Sequence, residues 1–261
     1  MSEPRLASTV MLARPAETDG GFELFMVRRP VRSEFAADVY VFPGGAVRDD
    51  DLDPLADRVC APFGPVDALQ RLAERGGVAP RDARAALGLW VAALRELYEE
   101  AGVLLVEPAP SPAARARLAG ARDAVREGAR SLAAVLEQER LRLACERLLY
   151  FSHWITPPSY PRRFDTRFFV ALLPAGQEAR HCEGETVESA WIAPREALRR
   201  ATRGEFPLVF VTQRHLERIA TCASLDALLR LARTKPVRSV HAELERESGE
   251  PRLPDGLEGR W

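Results

Sequence analysis

Lysine is all but missing from this chain. Lys235 is the only one among 37 basic residues, the rest being arginine, and 38 acidic residues bring the net charge to -1. No global field therefore draws the protein toward nucleic acid or an anionic membrane, and any anion binding must be local. Cysteine is equally uninformative as a framework. Cys60, Cys145, Cys182 and Cys222 show no C-x-x-C spacing, so neither a zinc ribbon nor a disulfide scaffold is indicated, and a reduced, cytoplasmic setting is the expectation. The first thirty residues lack an apolar segment behind a basic start, and no apolar run approaches membrane-spanning length, so neither secretion nor membrane insertion is expected. No internal repeat is visible. What is present is a 261-residue chain with 46% hydrophobic residues, enough for an enzyme-sized core.

Along the chain, Ala7 to Ala13 and Phe22 to Val27 read as strands of a hairpin around Asp19-Gly20-Gly21. Val39 to Phe42 reads as a buried strand stopped by Pro43-Gly44-Gly45, and VDALQRLAE as a short helix. A longer helix is predicted from near Pro80 to Ala101, with Gly102 as its C-cap. Leu87, Trp90, Leu94, Leu97 and Ala101 form its apolar stripe. Glu96, Glu99 and Glu100 cluster roughly 145° from that stripe, which predicts a carboxylate face turned from the core. Beyond it come a strand at Val103 to Val106, two outer helices within 108–147, and strands at Leu148 to Ile155, Phe164 to Leu173 and Val187 to Ile192. Helical patterns follow at Pro194 to Ala201, Thr212 to Thr221 and Leu225 to Ala232, and the charged stretch 244–261 is expected to be extended or partly disordered.

The stretch RELYEEAG, residues 95–102, carries the chemistry. Like charges at i,i+3 and i,i+4 on a helix repel, and a hard divalent cation converts that repulsion into coordination, because Mg²⁺ and Mn²⁺ favour carboxylate oxygens. By itself E-x-x-E-E more often marks a solvated helix face. Asp49 to Asp51 reads equally as a solvated turn or as an extension of a metal loop, and His153, His181, His215 and His241 read as core or surface histidines.

In context these residues resemble the Nudix box, G-x5-E-x7-R-E-U-x-E-E-x-G-U with U aliphatic. Arg95, Glu96, Leu97, Glu99, Glu100, Gly102 and Val103 match its right half, whereas Arg81 and Leu87 stand where its glycine and first glutamate belong. The left half resembles VFPGGAVRDDD, with Gly45 as the first glycine and Asp51 at the glutamate position. The box is then split by an insertion of about 36 residues, as 43 rather than seven separate Asp51 from Arg95. FMVRRPVRSEFAADVYVFPGG and HWITPPSYPRRFDTRFFVALLP also resemble the split-box branch that includes peroxisomal acyl-coenzyme A diphosphatases and their bacterial relatives.

The resemblance implies an α/β Nudix fold, a mixed β-sheet sandwiched between helices, spanning 6–235 with helical insertions near 52–87 and 108–147. It implies a metal-dependent hydrolase acting on a small nucleoside diphosphate linked to another moiety, without nucleic-acid or membrane partners. CoA or acyl-CoA is favoured as substrate, giving 3',5'-ADP and phosphopantetheine or its acyl form. An ADP-ribose, NADH or nucleotide-sugar pyrophosphatase, or a non-catalytic binding module, are the alternatives, and a homodimer is left open. With Mg²⁺ or Mn²⁺, Glu96 and Glu100 are the first-choice ligands, Glu99 holds metal or a metal-bound water, and the Gly44 carbonyl adds an oxygen. Glu99, Glu100 and Arg95 form the catalytic set, Arg95 by orienting a carboxylate. Gly45, Arg28, Arg29, Arg162 and Arg163 are expected at the substrate, with Arg167 as a further phosphate clamp and a basic surface loop as the alternative for the arginines; Glu183, Glu185 and Glu188 each read first as an exposed acidic loop and second as a base or extra ligand.

Overall fold

The computed structural model describes residues 3–17, 20–31, 37–76, 78–80, 82–182, 186–245, 249–257, 259 and 261. Its sheet grows from the apolar run near the start of the chain. Strand β1 (Arg5–Pro15) pairs antiparallel with β2 (Phe22–Arg28), Ala13 facing Leu24, as the hairpin reading requires; Asp19 of its turn lies outside the described residues. β3 (Tyr40–Val41) pairs antiparallel with the end of β2 at Val27 and Arg28, on the edge that β2 shares with β1. The Pro43-Gly44-Gly45 segment stops β3, as the sequence suggested, without leaving the sheet. It turns back as β4 (Gly44–Ala46) and pairs antiparallel with β1, Gly45 opposite Ser8. Glycine permits this, since a Cβ on Gly44 would lie 2.5 Å from Thr9 Oγ1.

A 3-10 turn (Asp49–Leu52), α1 (Pro54–Cys60) and α2 (Pro65–Glu74) lead into α3 (Ala83–Ala101). The Asp82 carboxylate accepts from the backbone N–H groups of Arg84 and Ala85, so α3 begins there rather than near Pro80, and Gly102 closes it at φ 68°. The strand expected over Val103 to Val106 shrinks to β5 (Val106–Glu107). After α4 (Pro112–Arg126) and α5 (Leu132–Gln138), β5 pairs with β6 (Arg142–Leu143). The sheet resumes with β7 (Leu149–Ile155), β8 (Phe164–Leu172) and β9 (Glu188–Ile192), followed by α6 (Pro194–Thr202), α7 (Phe210–Ile219) and α8 (Leu225–Thr234). β10 (Ser239–His241) adds to β7, and β11 (Glu243–Leu244) with β12 (Pro251–Arg252) forms a small ribbon.

Among the described residues the sheet runs β10-β7-β8-β1-β2-β3, with β4 on β1 and β9 on β2. It is mixed, because β8 lies parallel to β1 and β10 parallel to β7. Side-chain alternation sends Val10, Leu12, Phe169 and Ala171 to a core shared with Trp90, Leu94 and Leu97 of α3 and with α4 and α5. Met11, Leu24, Phe168 and Val170 face the opposite core, closed by Ala197, Leu216 and Leu228 of α6 to α8. The sheet is thus sandwiched between helices. The stretch read as extended or partly disordered returns to this second core, where Trp261 is buried edge-on to Trp154, their ring centroids 4.9 Å apart.

Candidate active site

The glutamates of α3 do not face solvent, which corrects the expectation from their helical projection: Glu96, Glu99 and Glu100 are only 6%, 1% and 4% exposed. The face turned from the apolar stripe is covered by β4, the 3-10 turn and α4, none of which a helical projection of α3 alone can show.

Arg95, wholly enclosed, organises the cluster. Its Nε and Nη2 each donate to Asp51 at 2.8 Å, Nη1 donates to Glu96 Oε1 at 2.7 Å and to Glu99 Oε2 at 3.2 Å, and Nη2 also reaches the Ala46 carbonyl. A guanidinium fork suits this bidentate grip. Asp51, 44 positions away in sequence, is therefore the ion-pair partner of Arg95, and the two halves of the split box meet. The Gly44 amide donates to Glu100 Oε2 at 3.0 Å, where the sequence reading had assigned its carbonyl a role. A Cβ on Gly45 would lie 2.4 Å from Glu96 Oε1, so any larger residue there would displace that carboxylate.

Arg48 completes the arrangement and was missed by the sequence reading. Its Nη1 and Nη2 donate to the two oxygens of Glu99 at 2.9 Å each, and Nη1 also reaches the Val125 carbonyl at the end of α4. Its backbone N–H donates to Asp51 Oδ2. A lone basic residue inside the acidic run V-R-D-D-D was the only signal available.

Burial, reinforced by the charge of Glu96, pushes the Glu99 carboxyl up to about 7 against the pull of Arg95 and Arg48. Burial also raises Asp51 despite its pairing with Arg95. Burial works against the Arg95 charge, and the carboxylates of Asp51, Glu96 and Glu99 outweigh it, holding the pKa above the usual arginine value. Four carboxylates, those of Asp51, Glu96, Glu99 and Glu100, are thus buried at this site together with the guanidiniums of Arg95 and Arg48. Among the described residues no three acidic, His or Cys side chains converge as a ready-made cation cage. The donor chemistry nevertheless fits a hard cation, with oxygen donors beside a glycine cradle.

The other candidates stand apart. Arg28 pairs with Asp38 at 2.9 Å and Glu188 at 3.4 Å and sits over the Tyr40 ring, so Glu188 is tied to the end of β2 rather than to α3. Arg29 follows it, its backbone N–H bonded to the Val39 carbonyl. Arg167 is committed to Asp165 and the Val78 carbonyl in the interior, which corrects its reading as a phosphate clamp. His153 bonds Asp165 and Ser239, and His215 bonds Ser152 at 2.6 Å in the second core, as core histidines should. Glu183 and Glu185 lie outside the described residues. Arg162 and Arg163 precede β8, and Arg163 Nε donates to the Thr156 carbonyl. Phe164 registers with Arg5 of β1 and Gly45 with Ser8 on the opposite edge, which separates that loop from Gly45 by roughly 14 Å.

A mixed sheet between helical layers, with a carboxylate-bearing helix docked on a glycine pair, is the arrangement of a Nudix hydrolase. The fold matches the crystal structure of a NUDIX hydrolase from Alicyclobacillus acidocaldarius with a TM-score of 0.65 and 28% identity, covering 88% of this chain and 97% of that one. Residues 5–210 match the NUDT19 Nudix domain, and the chain belongs to that family. It is similar to the acyl-coenzyme A diphosphatase NUDT19 of Homo sapiens, at 28% identity over 261 aligned positions covering 87% of this chain and 67% of the relative. It is also similar to putative nudix hydrolase 7 of Caenorhabditis elegans, at 27% identity over 190 positions covering 71% of this chain and 51% of the relative. The chain thus spans about half the length of the nematode relative and two-thirds of the human one. No helix among the described residues is long and apolar enough to cross a membrane.

Proposed function

We propose that the chain hydrolyses the diphosphate of CoA or acyl-CoA, using Mg²⁺ or Mn²⁺ held by Glu96, Glu99 and Glu100, to release 3',5'-ADP and phosphopantetheine or its acyl form. The observation that carries this reading is the set of buried carboxylates of α3 packed against the glycine cradle of β4. A bound divalent cation would neutralise the diphosphate and lower the pKa of an attacking water. The residues have separable duties. Arg95, gripped by Asp51, fixes Glu96 and Glu99; the Gly44 amide orients Glu100; and Gly45 keeps the space above Glu96 clear. The choice of CoA rests on the split box and on what the human relative is called.

Arg162 and Arg163, roughly 14 Å from Gly45 by strand register, suit the 3'-phosphate of an extended CoA better than its diphosphate. Their joint replacement by alanine should raise KM for CoA about tenfold with kcat little changed, and leave dephospho-CoA unaffected. The reading as a whole is tested by a panel of CoA, acyl-CoA, dephospho-CoA, ADP-ribose, NADH and nucleotide sugars with each cation. CoA or an acyl-CoA should show the highest kcat/KM. Preference for ADP-ribose or NADH would transfer the assignment to that class, and turnover of none would indicate a binding module.

A further inference from the structure

Arg48 grips Glu99 from the edge of the cluster. It is the exposed member of the pair it makes, its side chain 32% accessible against 1% for Glu99. Arg95 has no comparable freedom, being enclosed and held by Asp51, Glu96, Glu99 and the Ala46 carbonyl. The two guanidiniums of the cluster therefore differ in kind: one is built in, the other reaches in from the rim. The Arg48 backbone is anchored by its N–H on Asp51 Oδ2, so the side chain can change partners without moving the turn. Its Nη1 already shares the Val125 carbonyl, a second acceptor independent of Glu99.

We propose that Arg48 is a substrate-binding residue, serving the metal-free chain as counter-cation of Glu99 and turning to the diphosphate once a divalent cation takes over that carboxylate's charge. The geometry of its present grip supports the exchange. Two parallel N–H groups on two carboxylate oxygens present the fork that a phosphoryl group also accepts. A cation bound at Glu99 would repel Arg48 from its place, and an arriving diphosphate would offer the replacement anion beside it. The cation and Arg48 are competitors for Glu99 and partners on the substrate.

The inference rests on the proposed diphosphatase reading, so its test uses binding rather than turnover. Mn²⁺ affinity is measured by electron paramagnetic resonance and calorimetry on the wild type, Arg48→Gln and Arg48→Lys without substrate, and inorganic pyrophosphate is then titrated into the Mn²⁺-loaded proteins. Arg48→Gln should bind Mn²⁺ several-fold more tightly, having lost the competitor, and pyrophosphate at least tenfold more weakly. Arg48→Lys, which keeps the charge without the fork, should hold Mn²⁺ near the wild-type affinity and fall between the two on pyrophosphate; it serves as the folded comparison if Arg48→Gln is unstable. Weaker Mn²⁺ binding in folded Arg48→Gln would mean that Arg48 merely orders Glu99. Unchanged pyrophosphate affinity, or none in the wild type, would confine it to a counter-ion; either result overturns the proposal. A wild type that binds Mn²⁺ and pyrophosphate as expected but hydrolyses nothing on the substrate panel would fail the diphosphatase reading alone.

Discussion

At the scale of single residues, Gly45 and Glu96 separate shape from charge within one contact. Alanine at 45 would drive a Cβ to 2.4 Å from Glu96 Oε1 and 2.6 Å from Cδ, so the carboxylate must move. Gly45→Ala should lower kcat about 100-fold through misplacement and cost roughly 1–3 kcal/mol of stability by overpacking. Glu96→Gln keeps the shape and removes one of four crowded negative charges. It should lose turnover by orders of magnitude while its thermal midpoint stays at or above wild type, as parallel kinetics and melting curves would show. Glu99 adds a pH signature. With a folded pKa near 7 against an ordinary 4.5, the folded metal-free protein holds a proton that the unfolded chain has released. Its contribution is thus least favourable above about pH 7, improves as pH falls through that window, and disappears below about 4.5. The stability of wild type relative to Glu99→Gln should therefore drop between pH 5 and 7 and level off above, without metal. A divalent cation needs the carboxylate and should reverse that slope, which chemical denaturation across pH would reveal. The identity of these glutamates was legible in the R-E-x-x-E-E spacing; their burial was not, because it depends on β4, the 3-10 turn and α4, separate segments that fold over α3.

At the scale of elements, the join between the 3-10 turn and α3 is the test case. The count from Gly45 brought Asp51 to the position of the missing glutamate, and its carboxylate does enter the cluster, paired with Arg95 rather than exposed. The sequence could supply the two halves but not their partnership, since a 43-residue gap erases any spacing argument. The same limit explains β4: Pro-Gly-Gly carries a turn signature, and only the tight approach to Thr9 makes it a strand. Asp51→Asn keeps the size of the side chain but leaves Arg95 without its bidentate anion in an enclosed site. Breaking a buried pair in this way costs about 3–5 kcal/mol. A corresponding loss in equilibrium denaturation is expected, together with a fall in kcat as Glu96 and Glu99 lose their fixed support. A variant as stable as wild type would show that the turn, not the ion pair, holds the halves together.

At the scale of the whole molecule, the sheet divides the protein into two cores with different duties. The strands and most helices were legible because each carries its own period of two or 3.6 residues. The destination of the last stretch was not, because one tryptophan among charged and turn-forming residues has no period. Yet Trp261 is only 3% exposed, edge-on to Trp154 and with its ring centroid 5.0 Å from that of His215. Its carbonyl also accepts from Lys235 Nζ, and burial lowers that amine to about 7. All of these contacts lie on the α6 to α8 side, whereas α3 packs on the opposite face. Trp261→Ala should therefore cost about 3 kcal/mol or more as a large-to-small core change, lowering the melting midpoint by roughly 6–12 °C for a chain of this size. At a temperature where the variant remains folded, Mn²⁺ affinity should match wild type, because the intervening sheet does not pass the cavity on to the glutamates. A matching loss of cation affinity in the folded variant would instead mean that the second core sets the geometry of the first, with β1 and β8, which line both, as the route.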